Sequence, residues 1–313
     1  MKRVLWSLGV AAALLSAAPL ESAADPLLLG GIGFGSPMNR GALINVNEAS
    51  GAGAVVGPGA GPTAGVNGLT FDSFGALFGT TISNPVFDPG AGLPMLVRLD
   101  PATGTSLLSL PLIFGGNPLE VNDLAADPAT GMLYGVSVNT ASLISSLYTI
   151  DKATGVATLL GPTGVIGVTL AFGPTGTLFM TSATFDMMGT QTGSFLNTVN
   201  PATGALLSTI AISALPSGNL VHIGGLAVRP TDGTIFASGR EATVSQRGEI
   251  YILSPTGSAT LVGSTGVGEV GDLAFTPIPE PMTILLISTG LAVRRVRNRF
   301  WQSRVNKHRG CVI

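Results

Sequence analysis

The strongest constraint on this chain is a recurrence. An apolar strand, a glycine turn and a second strand appear in four copies. They are Gly68-Leu69-Thr70-Phe71-Asp72 with Gly75-Ala76-Leu77-Phe78, and Asp123-Leu124-Ala125-Ala126-Asp127 with Gly131-Met132-Leu133-Tyr134. Thr169-Leu170-Ala171-Phe172 with Gly176-Thr177-Leu178-Phe179 follows, then Gly225-Leu226-Ala227-Val228 with Gly233-Thr234-Ile235-Phe236. Asp272-Leu273-Ala274-Phe275 is a partial copy. The leading leucines fall at 69, 124, 170, 226 and 273, an interval of about 50 residues, which is the length of a four-stranded propeller blade.

A second module alternates with the first. It is a strand, a turn of the type Asp100-Pro101-Ala102-Thr103-Gly104, and another strand. The turn returns at Asp151–Gly155, Asn200–Gly204 and Ser254–Gly257, and first at Asn47–Gly51. Asp, Asn or Ser caps such a turn through its side-chain oxygen, Pro sets φ, and Gly supplies φ > 0, so each copy predicts a hairpin. No window between the two ends carries helical periodicity with caps, which argues against alternating strands and helices.

The expected fold is therefore all-β, a five-bladed β-propeller over residues 25–277. The N-terminal copy offers strands at Leu27–Phe34, Ala42–Asn47 and Ala54–Gly57 and lacks an inner strand; Val270–Phe275 offers only an inner strand. One blade built from both termini would seal the ring and leave no open end. A two-sheet sandwich or an open solenoid is the competing arrangement. The repeat resembles bacterial surface-propeller repeats of the YVTN and NHL kind, a generic resemblance that implies fold alone.

Charge is scarce and segregated. Only 10% of the residues are charged, against about 25% in an average domain. Residues 25–281 carry 16 acidic and 6 basic side chains, whereas 282–313 carry seven basic ones and no acid. An acidic body lacks the basic face that phosphate binding needs, so nucleic acid is not an expected partner. The single cysteine, Cys311, permits no disulfide framework and no cysteine metal site.

The ends read as targeting segments. Lys2 and Arg3, the apolar run Val4–Ala18, and the small residues Ser22-Ala23-Ala24 have the layout of a secretory signal over residues 1–24. At the other end Pro279-Glu280-Pro281 precedes the apolar run Met282–Val293 and the cluster Arg294, Arg295, Arg297 and Arg299. This order resembles the PEP-CTERM sorting signal of Gram-negative bacteria, here over residues 278–299. The resemblance implies a C-terminal transmembrane helix recognised at the inner membrane by an exosortase-type enzyme. It further implies delivery to the envelope or exopolysaccharide matrix, and says nothing of the body's activity. The apolar run of 12 residues spans about 18 Å as a helix, short of a hydrocarbon core of about 30 Å, so arginine snorkelling must extend it. Residues 300–313 would be a cytoplasmic tail.

Catalytic sets are sparse. His222 and His308 are the only histidines, and there is no Gly-x-Ser-x-Gly elbow. The glycine strings Gly30–Gly35 and Gly51–Gly65 lack the Lys-Ser/Thr of a phosphate loop, so they read as turns and close packing. Tyr134, Tyr148 and Tyr251 are the only tyrosines, and the body has no tryptophan, so exposed sugar-stacking platforms are few. One candidate site follows from position: Asn67, Asn122, Asp123, Thr169, His222 and Asp272 come just before or at the inner strands and would line the channel mouth. Such oxygen donors could hold Ca²⁺ or a sugar hydroxyl; no other cofactor is implied. The leading expectation is a non-catalytic surface or matrix module. The alternatives are a metal-assisted hydrolase or lyase, or a glycan-binding sensor, working at that mouth.

Overall fold

The computed structural model describes residues 25–33, 35–61, 64–82, 92–213, 220–241 and 248–278. The expected signal helix, the Pro279-Glu280-Pro281 segment with its arginines, and the tail lie outside the described residues. Among the described residues every regular element is a strand.

Blade one contributes β1 (Leu28–Ile32), β2 (Leu43–Val46) and β3 (Gly53–Gly57). Blade two is β4 (Val66–Phe71), β5 (Leu77–Thr81), β6 (Met95–Leu99) and β7 (Ser106–Pro111). A small hairpin, β8 (Ile113–Phe114) and β9 (Asn117–Pro118), precedes blade three. Blade three is β10 (Asp123–Ala126), β11 (Leu133–Asn139), β12 (Ile144–Ile150) and β13 (Ala157–Pro162). Blade four is β14 (Ile166–Phe172), β15 (Leu178–Phe185), β16 (Gln191–Val199) and β17 (Leu206–Ala211). Blade five is β18 (Val221–Val228), β19 (Ile235–Glu241), β20 (Glu249–Leu253) and β21 (Ala259–Ser264). The last strand, β22 (Val270–Phe275), returns to blade one and gives it the order β22-β1-β2-β3.

The five-bladed ring is therefore sealed by its two ends. Leu28 pairs with Phe275, Leu29 with Ala274 and Gly30 with Leu273. Leu27 N–H donates to Thr276 Oγ1 at 2.8 Å, and Thr276 N–H donates to the Leu27 carbonyl at 2.9 Å. Both ends of the ring, Pro26 and Ile278, consequently emerge on one face.

The core is divided among the junctions between blades. One cluster joins Leu28, Ile44 and Val270 of blade one to Ala227, Phe236 and Ile250 of blade five; four more occupy the other junctions. Each fully buried leucine there contributes about 1.5–3 kcal/mol, so stability belongs to the contacts between sheets rather than to single sheets. Tyr251 is fully buried and Tyr148 nearly so, consistent with packing roles for both.

The repeated turn explains how neighbouring blades register. In Asp100–Gly104 the Gly104 N–H donates to the Asp100 carbonyl at 2.7 Å, Asp100 Oδ1 accepts from Ala102 N–H at 2.9 Å, and Gly104 has φ 65°. A Cβ on Gly104 would lie 2.8 Å from Gly57 Cα at the end of β3. Gly51, Gly155, Gly204 and Gly257 make the same close approach to the outer strand of the preceding blade. The turn glycine is thus needed twice, for its backbone angle and for the neighbour it touches. Ion pairs add to two junctions: Lys152 Nζ lies 2.7 Å from Asp72 Oδ2, and Arg229 bridges Glu48 and Asp232.

Candidate functional site

The five inner strands β22, β4, β10, β14 and β18 face the ring axis. In four of them a β-bulge falls two residues before the leading leucine. The skipped residues are Asn67, Val168, Gly224 and Gly271. A bulge re-aims the next side chain. The residue after it, one before the leucine, reads Gly68, Thr169, Gly225 and Asp272; blade three, where β10 starts at this position, supplies Asp123.

These residues form a closed polar layer. Asp123, Thr169 and Asp272 are fully buried. Asp272 Oδ1 accepts from Leu226 N–H at 3.0 Å and its Oδ2 from Leu69 N–H at 2.5 Å. Asp123 Oδ1 accepts from Leu124 N–H at 2.6 Å and its Oδ2 from Leu170 N–H at 2.7 Å. The amides of four leading leucines are thus donated to two side chains, and the Leu273 N–H also favours the charged form of Asp272. The two carboxyl groups are near enough to influence each other's titration.

Burial drives the titration of this pair. Desolvation pushes Asp123 up to about 8, although Asp272 and the two amides oppose it. Asp272 is raised well above the carboxylate range by burial, with the Asp123 charge next in importance. Two neighbouring carboxyls out of water cannot both ionise, so the pair retains at least one proton at neutral pH.

The facing strands complete the layer with hydroxyls. Thr169 Oγ1 and Thr181 Oγ1 are 2.7 Å apart. Thr80 is paired with Gly68 and Ser238 with Gly225, and the buried Oγ1 of Thr80 and Oγ of Ser238 have no hydrogen-bond partner. Where the inner residue is Asp, the facing residue is Val136 or Gly31 and carries no hydroxyl. Gly225 is required by volume: a Cβ there would stand 2.6 Å from Asp272 Oδ1 and 2.8 Å from Ser238 Oγ.

The other predicted residues lie apart from this pair. Asn67 is a half-buried bulge residue. Asn122 Oδ1 accepts from Val138 N–H at 3.0 Å. His222 is held by Gln191, its Nδ1 lying 2.8 Å from Gln191 Oε1. Because Gln191 Nε2 donates to the Val221 carbonyl, Oε1 must accept and His222 Nδ1 must carry the proton. Burial, then the charge of Arg240, lowers the His222 pKa, so the ring stays neutral near pH 7. The six candidates therefore divide: Asp123, Thr169 and Asp272 lie in the axial layer, Asn122 and His222 make bonds elsewhere, and Asn67 is the bulge residue of β4. The residues not anticipated from sequence are Thr80, Thr181, Gly225 and Ser238. Gly225 stands directly before a leading leucine and was marked by the repeat, whereas Thr80, Thr181 and Ser238 join the layer only through strand register.

The chemistry of the layer is that of a lock. Every oxygen of the two carboxyls already accepts a main-chain N–H, and N–H dipoles converge on the axis. A cation arriving there would meet positive dipole ends. Elsewhere, a cleft of about 410 Å³ opens between blades three and four, walled by Leu143, Ile144, Ile166, Phe185 and Phe195.

No protein-family model matches the chain, and no curated protein matches it. Its backbone is similar to a crystal structure of a protein of unknown function from Bacteroides caccae, at 10% identity and a TM-score of 0.48, over 82% of this chain and 100% of that one. TolB from Acinetobacter baumannii is similar at 13% identity and a TM-score of 0.40, over 80% of this chain and 67% of TolB.

Proposed function

We propose that this chain is an exported, non-catalytic β-propeller that serves as a structural or interaction module of the cell envelope or an exopolysaccharide matrix. One observation carries the reading. The axial acids, the only converging carboxylates suggested by the sequence, accept four main-chain amides, three of them from a neighbouring blade. His222, the one histidine between residues 25 and 281, is likewise engaged by Gln191. Asp123 and Asp272 are fully buried and committed to main-chain amides, which supports a structural rather than a catalytic role for them.

The address comes from the ends of the sequence. The leader-like residues 1–24 and the segment Pro279-Glu280-Pro281, Met282–Val293 and Arg294–Arg299 support export followed by handling by an exosortase-type enzyme at the inner membrane. Deleting residues 279–299 and fractionating the cells tests this. The expected outcome is release or misplacement of the protein; unchanged membrane and matrix fractions would overturn the sorting role.

A further inference from the structure

The Gln191 side chain fixes His222 in one orientation. Gln191 Nε2 donates to the Val221 carbonyl at 3.2 Å and to the Gly193 carbonyl at 3.4 Å, so Gln191 Oε1 takes the His222 Nδ1 proton. Among the described residues nothing hydrogen-bonds His222 Nε2. With Nδ1 protonated and the ring neutral, Nε2 is a lone-pair acceptor held in a set direction.

Arg240 stands beside it. His222 and Arg240 are direct partners across β18 and β19, so both side chains leave the same face of blade five. The Arg240 charge bears on the His222 titration, which places the two groups in one electrostatic neighbourhood. Both residues are half-buried. Residues 25–281 hold 16 acids and 6 bases, yet among the described residues no carboxylate pairs with Arg240. Lys152 and Arg229 do have such partners, and Glu249 on the strand beside β19 accepts from the Tyr251 hydroxyl.

We propose that His222 and Arg240 form a binding site for a hydroxy-carboxylate, the sugar-acid unit of an acidic polysaccharide. The guanidinium fork takes the carboxylate through its N–H donors, and His222 Nε2 accepts from a ligand hydroxyl. The pair selects by chemistry. A neutral sugar brings no anion to Arg240, and sulfate has no hydrogen to give Nε2. A metal cation or an amine is repelled by Arg240. A sugar acid carries the carboxylate and the hydroxyl on one ring. The inference rests on the reading of the ring as an interaction module and names the ligand class for it; the sorting signal has no part in it.

Ligand-detected NMR titration of the full chain in detergent is the test, with glucuronate, glucose, sulfate and lactate as probes. The expected result is binding of glucuronate and none of glucose or sulfate. Arg240→Gln should weaken glucuronate binding about tenfold or more, the scale of a lost charge-assisted pair. His222→Asn keeps an N–H for Gln191 but has no Nε2 acceptor, and should weaken binding several-fold. Arg98→Gln, at an exposed base on β6, is the control and should change nothing. Thermal melts of all three should match that of the unaltered chain; Arg240→Gln keeps the test decisive should His222→Asn disturb β18. Glucuronate that does not bind, binding that survives Arg240→Gln, equal binding of sulfate, or loss with Arg98→Gln would each overturn the site. Lactate bound more tightly than glucuronate would overturn the assignment to a polysaccharide unit. Fractionation of the 279–299 deletion reads none of these outcomes, so the site and the sorting role fail separately.

Discussion

The axis and the rim of this ring solve opposite problems. At the axis, five inner strands bring polar main chain into a space too narrow for bulk water, and the chain answers with side chains: two aspartates take four amides, and Thr169 pairs with Thr181. At the rim, five outer strands carry no charged residue, and each exposes a large apolar side chain. The contrast shows where folding is decided. The buried main-chain amides are matched individually, because each unmatched polar group costs about 1–3 kcal/mol, a cost the layer bears at Thr80 Oγ1 and Ser238 Oγ, whereas an exposed leucine costs the fold almost nothing.

Removing an axial acid breaks the comparison most directly. Asp272→Ala leaves the Leu69 and Leu226 amides buried without acceptors and deprives Asp123 of its partner. At about 1–3 kcal/mol per amide the ring should lose several kcal/mol in denaturant unfolding. A midpoint unchanged from the unaltered protein would mean that the axial layer is not a lock.

The pH dependence of stability gives a smaller and distinctive effect. In the unfolded chain Asp123 and Asp272 lose their protons near pH 4, but in the ring Asp123 holds its proton to about 8 and Asp272 is also raised well above the carboxylate range. The folded state therefore binds more protons across that interval, so the pair's contribution to stability falls as pH rises from about 4 toward 8. Asp151 and Asp232 act in the opposite sense. Main-chain N–H bonds, from Ala153 and Thr234 first, lower their pKa values, so the stability they add is present above the unfolded value and lost as pH falls through the folded one. Thermal melts from pH 5 to 8 should decline in the unaltered protein and flatten in Asp123→Asn; parallel slopes would refute the axial assignment.

The rim should give the smallest change. Leu207→Ser should alter the unfolding free energy by no more than about 0.5 kcal/mol, as exposed substitutions generally do. A loss of several kcal/mol would show that β17 packs against something that its exposure conceals.

Much of the ring was readable from the chain alone because its signals are local and repeated. The leading leucines, the Asp-Pro-Ala-Thr-Gly turns and the missing inner strand of the first copy each mark a unit that cannot bury its apolar side without neighbours. The site was readable only in part. Asp123, Thr169 and Asp272 could be selected as polar residues near the inner strands, but their depth depends on bulges at Asn67, Val168, Gly224 and Gly271. A bulge is a relation between two strands and leaves no fixed residue type behind. The pairing of Ser238 with Gly225 likewise depends on register. The β8–β9 hairpin has no counterpart among the described residues of the other copies, so the repeat could not announce it; it is anchored where Phe114 meets Tyr148 edge to face, ring centres 5.2 Å apart.

The way blade one is assembled also sets the order of events during synthesis. Leu28 waits for Phe275, and no earlier segment carries the strand that belongs beside it. Joining chain positions so far apart is an entropically costly and slow step. A nascent chain of this design remains an unclosed string of sheets until its final blade strand leaves the ribosome. Any step that needs the ring open therefore has nearly the whole of translation in which to occur.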